Sequence, residues 1–312
     1  MAYNINNLKE IFELIVVTVN RQFDRGFTSL PGAFALYDAA VKSKIFENAS
    51  DDAYFQEMAH VVFASGLSSK VATGRIPALD YNFSHYALVA EYDDASVHRL
   101  SLHPDMLRHD RKMRRLIAIA KSFRSIVSEH RSFANYLDTF GGRDIESALA
   151  VRAHLMKRFI FLGGSTSSVF LREIGYPILK IDHSVMRVFS RLGLISGFPE
   201  QQRARQHVPL HEPQLVAALK VGAQLAATSG QPIEYINMIL SAFADGSNPE
   251  AHVLTAGVCN YRTPRCDLCS VNERCTYAPK TEAVRHGGLI LLDRHHSPMD
   301  GTHEDRDSRT LA

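Results

Sequence analysis

Apolar residues return every three or four positions along most of this chain, and few stretches alternate strictly between apolar and polar. Between Asn7 and Phe23, Leu8, Ile11, Phe12, Ile15 and Val19 fall at helical spacing, which gathers them into one stripe on a helix face. Later segments keep that rhythm. They are interrupted at Leu30-Pro31-Gly32, Asn48 to Asp52, Gly141-Gly142, Gly163-Gly164, Gly175-Tyr176-Pro177, Gly197-Phe198-Pro199 and Asp245-Gly246-Ser247. Glycine, proline and small polar residues end helices, so the pattern predicts an all-α fold whose helices run about 10 to 18 residues between short turns. No internal repeat is visible. Beyond about Pro279 the chain turns to His, Asp, Arg, Gly and Ser around the apolar island Leu289 to Leu292, and a loosely held tail is expected there.

Composition narrows the class. With 312 residues, 46% hydrophobic and 22% charged, the chain is an ordinary globular protein with room for two medium domains, and neither a disordered nor a collagen-like one. The longest apolar candidate, Leu14 to Val19, is stopped by Asn20 and Arg21, far short of the roughly 20 residues a membrane helix needs. The first residues lack a basic segment followed by an apolar one, so no secretory signal is expected.

A net charge of +2 decides little, but its distribution matters. Ser101 to Arg131 hold Arg108, Arg111, Lys112, Arg114, Arg115, Lys121, Arg124 and Arg131 against Asp105, Asp110 and Glu129. Met113, Leu116, Ile117, Ala120, Phe123 and Val127 form the apolar stripe of the same helix, which leaves the basic residues on its flanks and outer face. Such a face either is solvated or meets phosphates.

The four cysteines, Cys259, Cys266, Cys269 and Cys275, stand as C-x6-C-x2-C-x5-C in one 17-residue loop, with none elsewhere to staple the fold. That usage suits a reducing compartment, and a cytoplasmic protein is expected. Structural zinc usually pairs two knuckles across a longer stretch. One knuckle flanked by single cysteines suits a bulkier iron-sulfur core better.

Cys259-Asn-Tyr-Arg-Thr-Pro-Arg-Cys266-Asp-Leu-Cys269-Ser-Val-Asn-Glu-Arg-Cys275 resembles the cluster loop of endonuclease III and the adenine glycosylases, in the helix-hairpin-helix DNA glycosylase superfamily. The resemblance implies a [4Fe-4S] cluster on the four cysteines, with Arg262 and Arg265 on DNA phosphates. It also implies a two-lobed fold in which a glycine-turned hairpin precedes a catalytic aspartate by about 20 residues.

Gly163-Gly164-Ser165 supplies such a turn, its backbone N–H groups and a capping Ser165 suited to gripping a phosphate. Asp182, Arg187 and Val188 match the superfamily's Val-Asp-Thr-His-x-x-Arg-Val segment. Asp182 is also a favoured helix N-cap ahead of Val185, Val188, Phe189 and Leu192, and the two roles are compatible. In the catalytic one its carboxylate would stabilise an oxocarbenium-like sugar and orient water. Bifunctional relatives carry a lysine after the hairpin, where this chain has Gly164-Ser165-Thr166. Lys157 and Lys180 lie near in sequence but outside that position, so base release without strand cleavage is expected.

The middle of the chain is similar to another branch, 3-methyladenine DNA glycosylase I. The likeness runs through Phe55 to Ser68, through Met106-Leu-Arg108-His-Asp-Arg111-Lys112, and through Phe161-Leu-Gly163 to Phe170 and Gly175. It implies that Leu67 is a wedge filling the space of an extruded base, although a leucine near a helix end can equally be core. That branch's base-recognising glutamate falls on Val61, which leaves alkylated adenine unassigned as substrate.

The resulting expectation is a monomeric DNA glycosylase acting on double-stranded DNA that contains a damaged or modified base. It has N-terminal helices (1–49) packed on the cluster lobe, a helical lobe (50–175) ending in the hairpin, a cluster lobe (176–280) with Asp182, and a tail (281–312). Arg108, Arg111 and Lys112 would face phosphates. A non-catalytic DNA-binding iron-sulfur protein or redox-responsive regulator is the alternative, and a structural zinc protein a third.

Overall fold

The computed structural model describes residues 5–21, 46, 48–67, 69–198, 210–245 and 257–277. The tail expected beyond Pro279 and the break at Leu30-Pro31-Gly32 lie outside them. Thirteen α-helices are described: α1 Ile5–Arg21, α2 Asp51–Ala64, α3 Ser69–Thr73, α4 Ile76–Asn82, α5 Tyr86–Val89, α6 Asp94–Leu102, α7 Asp110–His130, α8 Phe133–Asp138, α9 Ile145–Arg158, α10 Gly164–Glu173, α11 His183–Arg191, α12 Glu212–Ser229 and α13 Ile233–Asp245. No strand occurs among the described residues, so the all-α expectation holds. Nor is any described helix long and apolar enough to cross a membrane.

Helix starts follow local chemistry. Ser50 accepts a bond from Ala53 N at 3.2 Å, and Asp51 and Asp52 fill the first turn of α2; the side-chain oxygen satisfies an orphan N–H while the carboxylates complement the helix dipole. Asp93, Ser132 and Asp144 open α6, α8 and α9 in the same way.

The 21-residue α7 is the central strut of the first group of helices. It packs on α2, α5, α6 and α8, and α10 lies across α2 and α9. Its apolar face is Met113, Leu116, Ile117, Ile119, Ala120, Phe123 and Ile126, all buried, whereas Val127 is only half-buried. Phe123 stacks on Phe133 with centroids 4.5 Å apart, and Phe55 and Tyr86 meet its edges. In the second group α1 packs on α12 and α13, and α11 on α13. The apolar core is continuous through both groups, from Leu8 and Phe12 through Phe63 and Phe123 to Phe189 and Phe243.

Candidate active site and cysteine loop

Helix α2 ends in a turn, Ser65-Gly66-Leu67. Gly66 sits at φ +74°, a left-handed conformation that glycine adopts at no steric cost. The turn reverses the chain and brings Leu67, half-buried, to the edge of a cleft of about 550 Å³. Glu57, His60, Val61 and Leu67 line one side, and Ser165, Thr166, Glu173 and Lys180 the other. His60 meets Asp80 at 2.5 Å and Glu57 at 4.0 Å, so its imidazole is held between two carboxylates. Residues 20 positions apart make this contact, and no local motif announces it.

The hairpin forms the opposite wall. Gly163 occupies the N-cap of α10 and has no side chain to cap with. Ser165, expected to cap that helix, instead lies within its first turn and lines the cleft.

Gly164 is sealed from behind. Arg152, 1% exposed, donates from Nε to Gly164 O at 3.0 Å and to Ser168 Oγ at 2.9 Å, and its guanidinium forms a bidentate pair with Glu212. A Cβ at position 164 would lie 2.3 Å from Arg152 Nη2 and 2.9 Å from Leu215 Cδ2. A larger residue at position 164 would have to displace the Arg152–Glu212 pair. Sequence reasoning missed Arg152 because one arginine on an amphipathic helix reads as solvated.

From Tyr176 the chain bends at Pro177, with Ile178 N donating to Tyr176 O at 2.7 Å. It continues without helix to Asp182, burying Ile178, Leu179 and Ile181 and leaving Lys180 exposed at the cleft. Asp182 is half-buried and is the N-cap of α11. Its Oδ1 accepts from Ser184 N at 2.9 Å, Ser184 Oγ at 2.5 Å and Val185 N at 3.0 Å. All three bonds land on one oxygen, so the cap orients the carboxyl group without involving Oδ2. Arg187, which the sequence pattern pairs with Asp182, points from the same helix to the cysteine loop, donating to Cys259 O at 3.2 Å and Ala244 O at 3.3 Å. That geometry gives a physical reason for the Asp182-to-Arg187 spacing: α11 carries the aspartate at its start and ties down the cysteine loop one turn later.

The loop is held at several points. Cys259 N donates to Phe243 O at 2.8 Å, Arg191 Nη1 reaches Asn260 O at 2.9 Å, and Thr276 N and Oγ1 both donate to Arg191 O. Ser270 N donates to Thr18 Oγ1 at 2.9 Å, and Arg274 pairs with Glu10, so α1 braces the loop from outside. All four cysteines line one void of about 20 Å³ together with Leu192, Phe243, Val258 and Val271. Burial pushes the thiols of Cys259 and Cys266 up and that of Cys269 to about 12, while Arg191 opposes the rise at Cys259. Among the described residues no three His, Cys, Asp or Glu side chains are grouped to hold a single metal ion.

The basic residues separate into two kinds. Arg108, Arg111 and Arg262 are exposed, and Arg265 is half-buried. Arg114 and Arg124 pair with Asp94 and Glu91 of neighbouring segments. Lys112 departs from expectation: it is 8% exposed, and its ammonium donates to Phe63 O at 2.8 Å and Ser65 O at 2.7 Å. The carbonyl-rich end of α2 draws it inward, away from any phosphate. Lys157 is exposed on α9.

Residues 45–158 match the family model described as methyladenine glycosylase. The resemblance to helical DNA glycosylases read from the sequence is thereby borne out over that stretch, which stops short of the hairpin, Asp182 and the cysteine loop. No curated protein matches the chain. Among solved structures, 3-methyladenine DNA glycosylase I is similar at 19% identity, over 41% of this chain and 80% of that one, with a TM-score of 0.36. The 8-oxoguanine DNA glycosylase of Thermotoga maritima is similar at 14% identity over 78% and 96%, with a TM-score of 0.44. An 8-oxoguanine glycosylase/lyase of Methanocaldococcus jannaschii, in complex with a 15mer DNA containing 8-oxoguanine, is similar at 12% identity over 75% and 96%, with a TM-score of 0.49.

Proposed function

We propose that the protein is a monofunctional DNA glycosylase that extrudes a damaged or modified base from duplex DNA into the cleft and hydrolyses its N-glycosidic bond. The observation that carries this reading is the cleft itself, which sets the Leu67 turn against the start of the hairpin helix and is lined by Lys180, two residues before Asp182. Leu67 fills the vacated stack, the open backbone at Gly163, Gly164 and Ser165 grips a phosphate, and Arg108, Arg111, Arg262 and Arg265 neutralise others. Asp182 stabilises the developing sugar cation and activates water. The excised base is a damaged one in base excision repair or a hypermodified one, such as glucosylated hydroxymethylcytosine in phage DNA. The latter would make the enzyme an antiviral defence. The protein acts as a monomer in the cytoplasm, on the nucleoid in a bacterial cell.

The absence of lysine from Gly164-Ser165-Thr166, of which Ser165 and Thr166 line the cleft, supports hydrolysis without strand cleavage, because that stretch offers no amine. Borohydride added during turnover should trap no covalent DNA adduct, and the product strand should carry an intact abasic site. A trapped adduct that disappears in Lys180→Ala would overturn the water-using mechanism, since Lys180 lines the same cleft.

We propose that Cys259, Cys266, Cys269 and Cys275, which line one void with apolar neighbours, hold a [4Fe-4S] cluster. Bound there, the cluster supplies a rigid frame for the loop that presents Arg262 and Arg265. The purified protein is expected to be brown, with about four iron atoms per chain; one equivalent of zinc and no visible absorbance contradicts the assignment. Cys266→Ser should lose iron and DNA affinity together.

A further inference from the structure

We propose that Lys112 is a positioning residue that fixes the Leu67 turn, and with it the geometry of base extrusion, by stapling the C-terminal end of α2 to α7. The inference rests on the glycosylase reading above and extends it to a residue that never touches DNA.

The last carbonyls of a helix have no partner within it. At the end of α2, Val61 O is taken by Ser65 N at 3.1 Å and Ala64 O by Leu67 N at 2.9 Å. Phe63 O and Ser65 O are closed from outside, both by the Lys112 ammonium. One cation thus joins the final turn of α2 to the Ser65-Gly66-Leu67 turn, 47 to 49 residues away in sequence. Its Nζ also lies over the Phe63 ring, 6.0 Å from the centroid.

Burial, and then the neighbouring Arg115, draw the Lys112 pKa below the ordinary lysine value; the two backbone oxygens that accept from the ammonium oppose that loss, and charge-assisted bonds of this kind are the strong ones. Gly66, at φ +74°, is the most pliable residue of the turn, so an external tether decides where Leu67 stands. Arg115, one turn further along α7, lies over the Phe161 ring at 5.3 Å, just ahead of the hairpin. Helix α7 therefore holds both elements that meet across the cleft, the wedge turn through Lys112 and the hairpin through Arg115.

The test compares wild type with Lys112→Met, and with Lys112→Gln, which keeps one donor group should the methionine variant fold poorly. Two readouts are taken on the full-length protein. In the variants the amides of Ser65 and Leu67 should exchange hydrogen about tenfold faster, the scale of one lost buried bond, while the α7 amides stay protected. Base release, as kcat/KM, should fall about 10- to 100-fold, the cost of small misplacement, while affinity for undamaged duplex stays within about twofold because no phosphate contact is lost. Lys112→Arg should recover part of both losses.

Unchanged exchange at Ser65 and Leu67 overturns the staple. Faster exchange with unaltered kcat/KM overturns the positioning role. Loss of undamaged-duplex affinity in step with turnover would return Lys112 to a phosphate-facing role. A wild-type protein that releases no base from any duplex sinks the proposed function itself, an outcome distinct from an active wild type matched by its Lys112 variants.

Discussion

Asp182→Asn is expected to fold and bind DNA as the wild type does, yet to release base about two to four orders of magnitude more slowly, the usual loss when one acid-base or electrostatic group is removed. The substitution is chosen for what it preserves. Asparagine caps a helix about as well as aspartate, and the bonds from Ser184 N, Ser184 Oγ and Val185 N all end on a single oxygen, which the amide carbonyl reproduces. What disappears is the negative charge beside the sugar and the capacity to take a proton from water. Single-turnover release, measured with affinity for the same duplex, separates the two roles of this residue. Equal rates in variant and wild type would reduce Asp182 to a cap.

The largest effect on stability is expected at Arg152. Arg152→Met removes both arms of the pair with Glu212 and the bonds to Gly164 O and Ser168 Oγ, leaving the start of the hairpin helix without its backing. Breaking a buried pair from one side typically costs about 3 to 5 kcal/mol. Glu212 is 46% exposed and rehydrates when freed, so a loss of about 3 kcal/mol is expected. Arg158→Met, which breaks the solvent-facing pair with Glu129, should cost much less, because water screens that pair. Denaturant midpoints at constant slope make the comparison. Similar losses in the two variants would mean that the hairpin needs no support from Arg152.

These two residues also mark what was legible in the sequence. Asp182 stands in a short segment, and the physics of that segment is local: a cap, an apolar helix face, and an arginine one turn on. That the four cysteines gather is likewise legible, because 17 residues keep them close in any tertiary arrangement, and all four line one void. The longer helices follow from periodicity, whereas α3, α4, α5, α6, α8 and α11 are shorter than the breaks in the pattern predict.

Lys112 and Arg152 were illegible for one shared reason. Each is a long cation on an amphipathic helix, the usual mark of a solvated face. Each is drawn inward by partners that sequence does not place nearby: Phe63 O and Ser65 O for Lys112, Gly164 O and Glu212 for Arg152. A buried carbonyl carries no side-chain signature, so a lysine that satisfies one looks like a lysine that meets a phosphate. The basic stretch 108–115 is therefore mixed. Arg108 and Arg111 are exposed, whereas Lys112 and Arg115 brace the wedge turn and the hairpin.

His60 shows the converse. As one histidine on a helix it carries little weight, but between Glu57 and Asp80 it becomes a fixed polar point on the cleft wall. Val61, beside it, presents no carboxylate to the cleft, so under the proposed function an extruded base would be recognised by other groups.

The central claim, that this cleft releases a base from duplex DNA, is tested most directly by incubating the wild-type protein with a panel of damaged, mismatched and phage-modified duplexes and analysing the soluble fraction by mass spectrometry. The account predicts a free base from at least one duplex, in equal amount to abasic sites in an unbroken strand, and none from that duplex with Asp182→Asn. Retained DNA binding with no base released from any duplex would contradict it, and would leave a DNA-binding protein without glycosylase chemistry.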